Sequence, residues 1–322
     1  MSNTEADPAE LLCSERPGEG ITVLTPRDVP LGGPRAIRVR RTLPQRRRSL
    51  IGAWCFADHY GPQDVSASGG MDVAPHPHTG LQTASWLFSG EIEHRDSIGS
   101  HAMVRPGELN LMTAGHGFAH SEVSTSDTTT LHGVQLWIAL PDEHRDTARD
   151  FRHYAPPLLD LPGATARVFL GSLAGATSPV PAFTPLLGAE LTVEPGATLA
   201  LDVDPAFEHG VLQDIGSVTI AGAALDTGEL AYLAPGAGRL ELVNSGTGPA
   251  RVLLLGGTPF TEELVMWWNF VGRSHEEIAE YREAWQARAD RFGQVEGYQG
   301  TTAWLPAPAL PQVRIKPRRN PS

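Results

Sequence analysis

Cysteine is nearly missing from this chain: only Cys13 and Cys55 occur in 322 residues. Two thiols are too few for a disulfide framework or a thiolate metal site, so reduced thiols in an intracellular protein are expected. Positive charge is in deficit as well. Lys and Arg number 25 against 37 Asp and Glu, a net charge of −12, and no DNA-reading motif is present. That excludes an overall electrostatic drive toward nucleic acid or anionic lipid. No apolar run reaches the roughly 18 residues that span a bilayer. The first 20 residues carry five acids, one Arg and no apolar h-region of a signal peptide. A cytoplasmic protein with no membrane or direct nucleic-acid partner is the expectation.

Long helical patterns are scarce, whereas turn formers are plentiful, with 34 Gly and 27 Pro. This composition suits many short strands joined by tight turns. At about 150 residues per domain, the length allows roughly two domains. Residues 1–20 read as an acidic, flexible arm, and 21–145 as a first domain of repeated strands such as Thr83–Phe88, Glu91–Arg95 and Leu131–Leu140. The Pro-rich stretch 146–187 lacks sustained periodicity and reads as an interdomain linker. Residues 188–298 form a second strand-rich domain ending in a helix, and 299–322 a Pro-rich basic tail.

The two domains echo each other. Gly107 to Gly115 aligns with Gly228 to Gly236 in Gly, Glu, Leu and the final Gly, which favours duplication of one β-domain. The helix is announced by Ser274 with Glu277 three residues on, a capping-box signal, with Ile278, Tyr281, Trp285 and Phe292 near one face and Gly293 to stop it. Just before it, Met266 to Phe270 is an aromatic cluster expected in the core or the interdomain seam. Arg27 to Arg48 holds eight Arg opposed only by Asp28, either a solvated face or a docking patch for an acidic partner.

Seven of the 12 His fall between residues 76 and 132. His76-Pro77-His78 places two imidazoles at i and i+2, on one face of an extended chain. His120-Ser121-Glu122 repeats that spacing with a carboxylate. Two such pairs on adjacent strands would give three His and one Glu, a set that suits iron, manganese, nickel, cobalt or copper, with zinc an alternative. His94, His101, His116 and His132 are expected mostly as satisfied surface side chains.

Gly70, five intervening residues and then His76-Pro77-His78 resemble the first cupin motif. Arg105 to Gly117, continuing to His120-Ser121-Glu122, resembles the pirin family, as do Ser49 to Gly52, Phe56 to Tyr60 and Trp267 to Ser274. The resemblance implies an all-β bicupin: two face-to-face antiparallel β-barrels of jelly-roll type with a C-terminal α-helix. It places one divalent ion, iron first, in the N-terminal barrel on His76, His78, His120 and Glu122, and leaves the second barrel metal-free. Many pirins carry Glu where this chain has Gln82 and Arg where it has His116, so these two are expected near the ion or the cavity mouth.

Two functions are implied. One is a quercetin 2,3-dioxygenase-like enzyme acting on a flavonol or another enolic small molecule, with Glu122 as catalytic base. The other is an iron-dependent, redox-responsive regulatory protein that binds a transcription factor or metabolic enzyme. A monomer is expected in either case.

Overall fold

A computed structural model describes residues 15–18, 20–30 and 37–320. Cys13 and most of the acidic arm lie outside them. Strand dominates, and among the described residues no helix is long and apolar enough to cross a membrane.

The N-terminal half pairs a seven-stranded with a four-stranded antiparallel sheet. The first runs in the order Asp150–Tyr154, Leu109–Thr113, Leu81–Ser89, Thr130–Ala139, Trp54–Asp64, Arg38–Leu43 and Arg27–Pro30. The second runs Asp72–His78, Phe118–Ser124, Ile92–Asp96 and His101–Val104. The C-terminal half repeats the plan with eight- and four-stranded sheets. Each half is thus an open pair of sheets, a jelly roll, and not a closed barrel. The internal repeat falls on equivalent strands: Leu109–Thr113 pairs with Leu81–Ser89 as Leu230–Leu233 pairs with Glu208–Ile215.

The two large sheets face each other, so their central strands are buried on both sides and read as nearly continuous apolar runs. Val134, Leu136 and Ile138 point with Trp86 toward Phe169, Leu212 and Leu253 of the other half, in one shared core. Trp86 Nε1–H donates to Glu190 Oε2 across that seam at 2.7 Å. Gly52 shows how close the halves come: with φ at +50°, a Cβ there would lie 2.6 Å from Gly257 Cα. No larger residue fits without moving backbone.

The chain ends cross over. Glu15–Gly18 and Ile21–Leu24, from the first 24 residues, extend the large sheet of the C-terminal half beside Leu230–Leu233. In return, the segment from 264 onward covers the N-terminal half. The hairpin Val265–Trp267 with Phe270–Gly272 leads into the helix His275–Gln286. Ser274 caps that helix by accepting Glu277 N–H, as the capping-box signal implies. Its buried face, Ile278, Tyr281 and Trp285, packs with Phe270 against Phe292 and Ala119. The helix therefore belongs spatially to the first half rather than the second, and the aromatic cluster joins the core beneath it, with Phe270 fully buried and Trp267 and Trp268 packed alongside.

The stretch 146–187 is also more ordered than a linker. Asp150–Tyr154 extends the N-terminal sheet, while Leu159–Leu161 and Ala164–Leu170 join the C-terminal one. The basic tail is fastened: Leu264 and Arg318 exchange backbone hydrogen bonds, and the Asn320 amide bonds Ser49 N–H, Leu50 N–H and Leu50 O.

Candidate metal centre

His76 and His78 alternate with Pro77 on the strand Asp72–His78, and His120 lies directly opposite His76 on Phe118–Ser124. Alternation turns all three imidazoles to the inside of the N-terminal half. Their ring nitrogens lie within 4.8 Å of one another, and none of the three residues is more than 1% exposed. The site is closed from above by the hairpin, whose Asn269 carbonyl oxygen accepts from His78 Nδ1 at 3.2 Å. Leu305 N–H donates to Pro75 O beside it.

Hydrogen bonding fixes the tautomers. His76 Nδ1 lies 2.9 Å from Ala74 O. A carbonyl only accepts, so both His76 and His78 carry the proton on Nδ1 and leave Nε2 bare. His120 Nδ1 faces His94 Nδ1 at 3.4 Å, and His94 Nε2 donates to Asp96 Oδ2 at 3.1 Å. His94 Nδ1 is then the acceptor, His120 Nδ1 the donor, and His120 Nε2 is bare too.

Three lone pairs thus converge, with His78 Nε2 and His120 Nε2 only 3.1 Å apart and His76 Nε2 without a hydrogen-bond partner. Burial pushes His76 down to about 3 and holds His78 and His120 well below the ordinary imidazole range. A proton is therefore a poor way to relieve the contact, whereas a divalent cation matches the donor set. The residues present fit a metal ion.

Glu122 lines the same interior but stands outside the group of three. A bulge between His120 and Glu122 shifts the register, and Glu122 pairs with Val73 rather than continuing the ladder. Its Oε1 lies 3.2 Å from Ser85 Oγ, which is also 2.9 Å from Gln135 Oε1. Its Oε2 is buried and has no hydrogen-bond partner. Tyr60 shares this region: its hydroxyl is unpartnered, and burial, with Glu122 nearby, pushes its pKa up.

Residues 36–138 match the Pirin family, and 188–293 match the Pirin C-terminal cupin domain. The chain belongs to the pirin family. A Pseudomonas aeruginosa protein named, provisionally, as a quercetin 2,3-dioxygenase is 46% identical over 97% of this chain and 98% of its own. A pirin-like protein of Caulobacter vibrioides is 37% identical over 77% of this chain and 88% of its own. Among solved structures, an Acinetobacter baumannii quercetin 2,3-dioxygenase superposes with a TM-score of 0.87 at 39% identity, covering 93% of this chain and 98% of that one.

Neither Gln82 nor His116, the two further positions singled out by the pirin resemblance, is among the three converging imidazoles. Gln82 does not face the three imidazoles. Its strand belongs to the other sheet, where Ala84 and Trp86 on the same face pack toward the C-terminal half. Its amide donates to Thr113 Oγ1 at 2.9 Å and lines a separate cavity of about 300 Å³ with Leu111, Arg149 and Phe183. His116 also lies outside the group, with Nδ1 3.4 Å from Thr147 O.

The remaining His are less superficial than expected in this pirin. His101 is exposed and pairs with Glu93 at 2.7 Å. By contrast, His94 and His132 are 3% and 4% exposed. His132 joins His59 and Asp214 in a second group of possible ligands, buried between the two halves. Asp214 Oδ1 accepts from His132 Nε2 at 2.5 Å and from His59 Nε2 at 2.7 Å. Arg40 Nε–H donates to His59 Nδ1 at 3.1 Å, and Arg251 Nε–H donates to Asp214 Oδ2 at 2.6 Å. Here the cations are already supplied by two guanidinium groups, and His59 Nε2 carries a proton. This group is an ionic clasp between the halves rather than a metal site. Nothing local in the sequence joins His59 to Asp214, 155 positions away.

Proposed function

We propose that this pirin is a metal-dependent dioxygenase acting on a flavonol or another enolic small molecule, with iron as the first expectation for its ion. The observation that supports this most is the convergence of three bare imidazole nitrogens in a buried interior beside an unpartnered carboxylate oxygen. His76, His78 and His120 would hold the ion, with Glu122 as the carboxylate ligand. Bound there, a divalent redox ion supplies Lewis acidity toward an enolate and a route for electrons to dioxygen.

The chain's own groups define the rest. Glu122 Oε2 is the acceptor for the substrate hydroxyl proton, and Ser85 orients the carboxylate through Oε1. With the amide of Gln82 where many pirins have Glu, that position supplies no second carboxylate for the role. The hairpin and Leu305 exclude water, so substrate has to displace that cover before reaching the imidazoles. Relatives that carry the quercetin dioxygenase name over nearly the full length support the same reading.

The test is metal analysis of anaerobically purified protein, followed by oxygen uptake with quercetin after loading with iron, manganese, nickel, cobalt or copper. Uptake that is lost in Glu122→Gln is expected. No uptake with any of these metals would refute dioxygenase chemistry, and full metal content in a His76→Ala, Glu122→Ala double variant would refute the site.

A second reading, a redox-responsive regulator of a protein partner, draws on a cationic cleft. Arg46 lines it with Lys316, Arg318 and Arg319 of the fastened tail. Only part of the Arg-rich segment is available for docking, since Arg40, Arg41 and Arg48 are engaged with His59, Asp58 and Glu208. If Arg46→Ala with Lys316→Ala leaves the co-purifying proteins unchanged, the cleft drops out of this reading.

A further inference from the structure

We propose that His94 and Asp96 are positioning residues for the metal site: through a fixed chain of hydrogen bonds they hold His120 in the one tautomer and ring orientation that can ligate an ion. This rests on the metal-site reading above and goes beyond it, because neither residue is a ligand.

The chain is continuous from the strand edge to the site. Asp96 is opposite His120 in the sheet register, and His94 is opposite Glu122. Asp96 Oδ1 is fixed by two backbone donors, Ile98 N–H at 3.0 Å and Ser100 N–H at 2.9 Å. Both N–H groups donate to that one oxygen, which leaves Oδ2 for His94 Nε2–H at 3.1 Å. His94 Nδ1 must then accept, which requires His120 to donate from Nδ1 and to present Nε2 to the interior. Asp96, which only accepts, sets the direction of the series, and the neutral His94 ring carries it on to His120. The His94 ring is held flat by Phe151, with centroids 4.7 Å apart and planes at 23°.

His94 is not an extra ligand. It meets His120 at Nδ1, the ring nitrogen that does not face His76 and His78, so an ion on His120 Nε2 lies beyond its reach. A packing role alone would need only an aromatic ring against Phe151. The Asp96 turn supplies more than that, namely a direction for each proton. Such outer partners commonly set metal affinity by about 10–100-fold.

Two substitutions separate packing from positioning. His94→Phe keeps a ring for Phe151 and ends the hydrogen-bond series. His94→Gln can accept from His120 Nδ1–H at Oε1 and donate to Asp96 from Nε2. Co(II) affinity would be measured by chelator competition, together with the visible Co(II) absorption spectrum, on full-length protein. The expected result is a loss of about 10–100-fold in His94→Phe with an altered spectrum, and recovery of most of it in His94→Gln. Asp96→Asn should weaken binding in the same direction, and it decides the matter if His94→Phe does not fold. Folded His94→Phe, or Asp96→Asn in its place, binding Co(II) within twofold of wild type with the same spectrum would overturn the proposal. In that event loss of Co(II) in His120→Ala would leave the metal site itself standing. Wild type that takes up no Co(II) would refute both.

Discussion

Replacing Asp214 by Asn should cost this protein about 3 kcal/mol of stability without touching its metal content. Asp214 is 1% exposed and holds three partners at 2.5–2.7 Å: His132 and His59 on Oδ1, and Arg251 on Oδ2. Removing one member of a buried ion pair costs roughly 3–5 kcal/mol, mostly by stranding the other charge. Arg251 keeps 19% side-chain exposure and can recover some hydration, which places the loss near the lower figure. At roughly 2.1 cal/mol/K of unfolding entropy per residue, a 322-residue unit shifts by about 4–5 °C. Calorimetry of metal-free protein at pH 7.5 measures this directly. The sign with pH is fixed as well. Burial alone would raise the carboxyl, but the imidazole hydrogen bonds and Arg251 reverse that and hold it well below the ordinary range. Its stabilisation is present above its unfolded value near 4 and fades as pH falls through the folded one. The deficit of Asp214→Asn should therefore narrow below about pH 4. A melting shift under about 1 °C at pH 7.5 would refute the clasp, and loss of bound metal would show that the wrong group was assigned to the ion.

Three further outcomes are expected. Metal-free protein should lose stability as pH falls below about 6.5, because His76, His78, His120 and His59 are buried neutral with lowered pKa values. For His76 the loss runs down to about 3, at about 1.4 kcal/mol per pH unit, and urea midpoints at pH 7.5 and 5 should show the trend. Deleting residues 299–322 removes Leu305, which is 5% exposed, and the acceptor of Trp285 Nε1–H, so both melting temperature and metal retention should fall. Gln82→Glu, the residue common in other pirins, should leave Co(II) affinity within about twofold of wild type, since its side chain points away from the imidazoles into a separate cavity; a larger change would contradict that placement.

The three imidazoles were legible because their information is local: spacing at i and i+2 on an extended strand fixes the face. Gln82 was expected near the ion only through the pirin resemblance, and its own parity relative to the imidazoles is set by a corner in the chain. His78 ends a strand of the four-stranded sheet, and Leu81–Ser89 begins in the seven-stranded one. Gly80 turns the chain between them at φ +67°, so alternation restarts there. His94-x-Asp96 carries the same i, i+2 signature as the ligand pairs and could have been flagged by it. Its function depends on lying across from His120, a register that no single strand encodes. The clasp was illegible for a similar reason, since His59 and Asp214 meet only once the two halves dock.

The crossed chain ends also set when a metal can be held. Every imidazole of the site is made by residue 120, yet the cover over it is drawn from 264 to 310. At roughly 5–20 residues per second, synthesis leaves the pocket uncovered for on the order of 10–40 seconds. During that interval nothing from 264 onward can cover the three imidazoles, so an ion can approach them without displacing the finished cover.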